Sequence, residues 1–316
     1  MLIAAGYNID KKKLRVVRLL AEKDMTEKTL EAYNDVFADI VNVLLFDGDR
    51  LVQENALLDA TPLSMYKADG KLHEQERDVA KYWTMDSGKK VNVRIAMFGL
   101  ENQTMYDADM PLRVIGYDGA AYRAQLGQKE RYPVITLVLY FGEKPWGKNR
   151  SIYDAVEIPN RLASYVNNYR INVFEISYLE EEQIEKFQSD FKIVADYFVH
   201  KRMDPDYRPT DATKFKHVDE LLKLFSVLTK DERFEETLHD PERGAPTTMC
   251  EVLDRAEEKG RKEGRKEGRK EGRKEERIEL LSSLVKDGFL PLSEAAKRMN
   301  VTEGEFRKLA GMTARH

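Results

Sequence analysis

Three polar side chains fall where one pair of extended segments would carry them together. In residues 91–100 the odd positions Val91, Val93, Ile95 and Met97 make one apolar face, and Glu101 and Gln103 continue that parity beyond Gly99. Asp78 opens the preceding extended segment, residues 78–84, and Asp86, Ser87, Gly88 and Lys89 between the two have the composition of a hairpin link. A hairpin brings the Asp78 carboxylate close to Glu101. Two convergent carboxylates with an amide beside them form a hard oxygen site suited to Mg²⁺ or another divalent cation, which takes a few carboxylates and keeps several waters. Such an ion acidifies water and stabilises charge developing on a phosphate. With 56 acidic residues in the chain this loose spacing also arises by chance, so a solvated hairpin rim is the competing reading. Arg113 and Tyr117, four residues apart, share a helix face next in sequence to these groups. The guanidinium there would either clamp a phosphate of the substrate or form an ion pair with Glu101 or an aspartate. Trp83 and Trp146 could stack on bases, but at strand ends they are expected first as core or rim anchors.

The elements that must position these groups are legible from periodicity. Residues 26–46 carry Leu30, Val36, Phe37, Ile40, Val41, Leu44 and Leu45 at helical spacing, which predicts one amphipathic helix capped by Thr26 and stopped by Asp47-Gly48-Asp49. Residues 49–75 are mixed and polar, before the two extended segments. Asp109 is placed to cap a helix over residues 110–126, with Pro111 tolerated in its first turn. Residues 134–140 (Val-Ile-Thr-Leu-Val-Leu-Tyr) form a continuous β-branched apolar run, the mark of a strand buried on both faces and expected at the centre of the sheet. A further strand over 171–178 and helices over 180–202 and 211–229 complete an α/β domain ending near residue 235.

The 316 residues suffice for one full core and a small accessory module. The expected divisions are an N-terminal extension (1–24), with Met25 a candidate start beside Met1, the α/β domain (25–235), a linker (236–253), a charged repeat (254–277) and a small helical module (278–316). Residues 254–277 hold eleven basic and eight acidic side chains in an Arg-Lys-Glu-Gly repeat, against a net charge of −4 for the whole chain. A helix there gains about 0.2–0.5 kcal/mol from each opposite-charge pair, and each glycine costs about 0.8–1 kcal/mol. Without an apolar seam no coiled coil is predicted, only a marginal, solvated helix, though the tail is where copies of the chain would associate if it oligomerises. In 278–316, Ser293 and Thr302 are expected N-caps, Thr302 with Glu305 matches a capping box, and two short helices broken at Asn300 have the outline of a helix-turn-helix or of a plain helical hairpin.

Composition excludes several classes of chemistry. Cys250 is the single cysteine, so neither a disulfide framework nor a cysteine-based zinc site exists, and the five histidines show no metal-ligand spacing. No apolar run approaches the roughly 20 residues of a membrane span, and a soluble, cytoplasmic protein without a membrane partner is expected.

Three further motifs stand in a fixed order. Gly99-Leu100-Glu101-Asn102-Gln103-Thr104 is followed by Met110-Pro111-Leu112-Arg113 with Tyr117, and then by residues 133–146, which end in Tyr140-Phe141-Gly142-Glu143-Lys144-Pro145-Trp146. This order resembles the core of the recombination-promoting nuclease/putative transposase family, in which a strand ending in Glu-x-Gln leads to a helix with Met-x-x-Arg and Tyr and then to a strand ending in a Tyr-x-Gly-x-x-x-Trp turn. The resemblance covers about residues 26–235, and charged repeats in the tail are typical of relatives. It implies a PD-(D/E)XK, restriction-endonuclease-like fold, a mixed sheet flanked by helices, and a metal-dependent endonuclease whose partner is DNA and whose breaks promote recombination. On that resemblance Asp78 is the first metal carboxylate, Glu101 the second, and Gln103 stands where the wider superfamily usually has lysine. Asp35 resembles the acidic residue of the family's first helix, a further ligand or a supporting group; a solvated helical aspartate is the alternative. Other readings of the same fold are a catalytically inactive DNA- or partner-binding protein and a transposase proper.

Overall fold

The structure, a computed structural model, describes residues 29–60, 63–68, 71–86, 92–209, 213–239 and 243–312. The N-terminal extension, Met25, the Thr26 cap and the hairpin link at 87–90 lie outside the described residues. The chain divides into two units, residues 1–253 and 254–316.

In the first unit the helix expected over 26–46 is broken. A 3₁₀ turn, Leu30–Ala32, precedes α1, Asn34–Phe46, and Tyr33 between them is extended. The break has a tertiary cause: the Tyr33 hydroxyl donates to Glu220 at 2.8 Å and its ring stacks on His217. Three short strands follow in the mixed, polar stretch, β1 (Leu57–Asp59) and a separate antiparallel pair, β2 (Leu63–Ala68) and β3 (Lys71–Glu76). Then come β4 (Val79–Asp86), β5 (Asn92–Gln103), α2 (Met110–Arg123), β6 (Val134–Tyr140) and β7 (Asn172–Glu175). The expected 180–202 helix is also two pieces, α3 (Glu181–Lys186) and α4 (Phe191–Met203), because Asp39 accepts the backbone N–H groups of Gln188 and Ser189 at 2.8 and 2.7 Å in the gap. Helix α5 spans Val218–Thr229.

The main sheet is mixed, in the order β1-β4-β5-β6-β7, antiparallel from β1 to β5 and parallel from β5 to β7. Its middle strand is therefore β5, not β6 as predicted, although β6 is covered on both faces. Between Trp83 and Thr84 the β4–β5 register shifts, which leaves Ile95 as an extra residue on β5. The bulge interrupts the predicted odd-numbered face, so Val93 is exposed, while beyond it Ala96, Phe98 and Leu100 enter the main core with α1, α4 and α5. Met97, Gly99, Glu101 and Gln103 share the opposite face, where Met110 and Val114 of α2 pack with Val138 and Tyr140. At its N-terminus α2 has Asp109 in the cap position, but that side chain makes no capping bond; Asp107 accepts the Asp109 N–H instead, at 2.9 Å.

Helix α6, Met249–Lys286, runs unbroken through the charged repeat, with Lys262 and Glu258 paired one turn apart at 3.0 Å. In the second unit α7 (Leu292–Met299) and α8 (Glu303–Leu309) close a small core of Leu281, Ala295, Ala296 and Phe306. Asn300 takes the left-handed turn between them, and Thr302 with Glu305 forms the predicted capping box. Ser293 is not a cap, because α7 already begins at Leu292 with Pro291 in the N-cap position. Among the described residues no helix is long and apolar enough to cross a membrane.

Candidate active site

The start of β4 and the end of β5 lie side by side. Their last registered pair is Val79 with Leu100, so Asp78 and Glu101 are the next two residues on either strand. Asp78 is exposed, and its Oδ2 accepts the backbone N–H of Asn102 at 2.6 Å, which fastens it to the neighbouring strand. Glu101 is only 3% exposed. Its Oε1 receives the Arg113 guanidinium, the Gln103 amide at 3.3 Å and, at a long 3.4 Å, the Tyr117 hydroxyl. Its Oε2 is buried and has no partner among the described residues. Burial first, then the Asp78 charge, pushes the Glu101 carboxyl up to about 7, against the pull of Arg113.

A second buried carboxylate flanks the same strand end, on the opposite face of β5. Asn102 points away from Glu101 and donates through Nδ2 to Glu31 Oε1 at 3.0 Å, and among the described residues Glu31 Oε2 and Asn102 Oδ1 are buried without partners. Burial, with the Asp78 charge adding to it, pushes Glu31 up to about 7 as well. Glu31 was not among the residues predicted from sequence. The only sequence signal for it would have been a helix break at Tyr33, and that break depends on residues about 190 positions downstream.

Arg113 sits with Glu101, Asp107 at 3.0 Å and Tyr117 at 3.2 Å, so the ion-pair alternative is the arrangement present. Asp35 is not brought to this group. It pairs with Lys216 at 2.6 Å and His217 at 3.1 Å; burial works against its ionisation, but the hydrogen bonds from these two side chains hold its carboxyl below the usual range. Trp146 is fully buried, and Trp83 packs beside Phe98 and Phe46, so both tryptophans are anchors. Among the described residues no three His, Cys, Asp or Glu side chains converge as a ready metal cage.

Beneath Glu101 lies a buried network that sequence reasoning also missed. Arg77, next to Asp78, donates to Asp118 at 2.5 Å; Thr136 reaches the same carboxylate at 2.6 Å, and the Tyr169 hydroxyl binds its other oxygen. The Arg77 guanidinium also lies over the Tyr117 ring, 5.4 Å from its centre. Gly99 makes room for this arginine, since a Cβ there would stand 2.7 Å from Arg77 Cδ.

The two raised carboxyls give a pH prediction. Each binds its proton more tightly in the folded chain than in the unfolded one, so their contribution to stability is fully present below about 4.5 and is lost as pH rises to about 7. At about 1.4 kcal/mol per pH unit each group accounts for a loss on the order of 3 kcal/mol. Urea unfolding at pH 5 and pH 8 should show this fall in the parent and a smaller one in Glu31→Gln/Glu101→Gln. An equal fall in both proteins would assign the titration to other groups.

The family model for YhgA-like putative transposases matches residues 55–231, more than half of the chain. The chain belongs to that family. No curated protein and no solved structure matches it. In this YhgA-like chain the matched segment holds Asp78, Glu101, Gln103, Arg113 and Tyr117, whereas Glu31 and Asp35 precede it.

Proposed function

We propose that this YhgA-like putative transposase is a metal-dependent DNA endonuclease on a PD-(D/E)XK-type core, hydrolysing phosphodiester bonds and thereby supplying breaks that promote recombination. The observation that carries the reading is the gathering of three carboxylates at the end of β5 with Arg113, among the described residues, as the one cation bound to them in an ion pair: among those residues the buried Oε2 atoms of Glu101 and Glu31 have no partner, and the exposed Asp78 carboxylate acts on both. A divalent cation is the counter-charge that this donor set fits. Mg²⁺ takes one or two carboxylates and completes its shell with water and phosphate oxygens, so Asp78 and Glu101 suffice to hold it without a closed protein cage. When bound, it would lower the pKa of water and stabilise charge developing on the phosphate.

The chain's own residues then divide the remaining work. Gln103 presents a neutral amide, which orients a water by hydrogen bonding but adds no charge to it. Arg113 has Asp107 and Tyr117 as further partners, so it can leave Glu101 and turn its fork toward a phosphate while staying positioned. Asn102 and Glu31 support the strand end from the far face.

The test is conversion of supercoiled plasmid by the purified full chain in Mg²⁺ and in EDTA, together with the unfolding temperature in each. Nicking confined to Mg²⁺, with a metal-dependent rise in unfolding temperature at pH 8 that Glu101→Gln lacks, is the expected result. DNA binding without cleavage in Mg²⁺ or Mn²⁺ would instead identify an inactive binding protein on the same fold. Gln103→Lys tests the amide: a nearby ammonium should pull the Glu101 carboxyl down and keep or raise nicking. A folded but inactive Gln103→Lys would mean that the amide hydrogen bond itself is required.

A further inference from the structure

A cavity of about 950 Å³ opens at the carboxyl ends of β5 and β6, beginning at Thr104, one residue beyond Gln103. Ligands of α/β sheets with parallel strands collect at this end, because the loops there diverge and leave a crevice. The volume lies near the top of the roughly 300–1,000 Å³ range that holds compact organic ligands. Its two walls have different chemistry from the carboxylate cluster beside it.

One wall is the 142–149 loop, held rigidly by its tryptophan. Trp146 is fully buried, its indole N–H donates to the Asn149 carbonyl at 2.9 Å, and its backbone N–H donates to Glu175 at 2.8 Å. With that plug fixed, Lys144 and Lys148, two residues to either side, are exposed on the rim and make no ion pair among the described residues. Lys230, just after α5, is a third exposed cation on the lining. Arg202 of α4 lies over the Tyr178 ring at 4.1 Å and donates to the Ser177 carbonyl at 2.7 Å, which fixes its guanidinium at the far wall. A single carboxylate, Glu143, shares the lining. Between the cations the surface is apolar and aromatic: Tyr106, 45% exposed, is braced edge-on against Trp146, and the edge of the core ring Phe198, packed on Phe141 and Phe225, also lines the cavity.

We infer that this cavity binds an unpaired DNA strand, with a base stacking on Tyr106 and phosphates meeting Lys144, Lys148 and Lys230. The occupant follows from the pairing of chemistries. Cations alone would suit any polyanion, and a duplex keeps its base faces stacked inside, where an aromatic pocket cannot reach them. An unstacked strand offers accessible base faces together with successive phosphates for three separate cations, which neither a duplex nor a single mononucleotide does. The inference rests on the nuclease reading in one respect: a strand in this cavity runs past the end of β5, so the site would take frayed, flapped or otherwise unpaired DNA in preference to continuous duplex.

Binding can be measured without cleavage. Fluorescence anisotropy of labelled dT20 and of a 20-base-pair duplex, with the full chain in EDTA, separates this inference from the nuclease reading, because neither titration depends on a metal or on catalysis. The expected result is tighter binding of dT20 than of duplex. Lys144→Glu/Lys148→Glu should weaken dT20 binding and flatten the slope of log K against log salt by about 1.4, the share of two phosphate contacts on a single strand. Tyr106→Ala should weaken dT20 by about fivefold or more and leave the duplex unchanged, and Lys129→Glu, a charge reversal away from the cavity, should change neither. Unchanged dT20 affinity and salt slope in the lysine variant, equal loss for duplex and single strand in Tyr106→Ala, or full displacement of dT20 by equimolar dTMP would each overturn the inference. Plasmid nicking that survives these failures would leave the nuclease reading standing alone.

Discussion

Asp78→Ala and Glu101→Ala are each expected to reduce Mg²⁺-dependent plasmid nicking by about a hundredfold or more while the chain stays folded. A metal-bound water and a neutralised phosphate are worth several kcal/mol of transition-state stabilisation, and each 1.36 kcal/mol is a decade in rate. The two variants should differ in stability. Asp78 is exposed, and its removal gives up the hydrogen bond from the Asn102 N–H but relieves repulsion of Glu31 and Glu101, so it should cost less stability than removal of Glu101. Glu101 is buried, and its removal strips Arg113 of one of two carboxylates but leaves Asp107 in place. Glu101→Gln keeps the shape and should be as inactive as the alanine variant. Nicking at the parent rate in either purified, folded variant would end the assignment of the site.

Asp118→Ala is expected to have the largest effect on stability. The Arg77–Asp118 pair is 3% exposed on both sides, and Asp118 is also the acceptor for Thr136 and Tyr169. Removing one partner of a buried ion pair leaves the other charge uncompensated, at a cost of about 3–5 kcal/mol. Arg77 is ill placed to escape, since it is pinned between Gly99 and the Tyr117 ring. Replacing both members, as Arg77→Met/Asp118→Leu, should recover most of the loss, because the interior then holds no unpaired charge. Urea unfolding of the three proteins decides it. A loss below about 1 kcal/mol for Asp118→Ala, in the range of an exposed pair, would mean that Arg77 finds water or another carboxylate. Gly99→Ala should move the same way, since its methyl group would displace Arg77.

The network also explains why the site stands where it does. Arg77 is joined covalently to Asp78 and touches Tyr117, which in turn contacts Glu101. A fault in the buried pair should therefore loosen both the first carboxylate and the helix face carrying Arg113, and nicking by Asp118→Ala should fall even where the variant remains mostly folded.

By itself the sequence determined what depends on neighbours along the chain. A period of two on 91–100 and a short polar link make a hairpin, and in a hairpin the register is local, so Asp78 and Glu101 come out on adjacent strand ends. The four-residue spacing of Arg113 and Tyr117 put both on one face of α2, and Thr302 with Glu305 announced the cap of α8. Tertiary structure decided the rest. The pairing of β1 with β4, the middle position of β5 and the break at Tyr33 each follow from contacts with segments distant in the chain, which residue periodicity does not encode. The same holds for the electrostatics. Whether a carboxylate is raised, as in Glu31 and Glu101, or held down, as in Asp35, depends on which groups folding brings against it and how much water it excludes, and those partners lie as far away as Lys216 and His217.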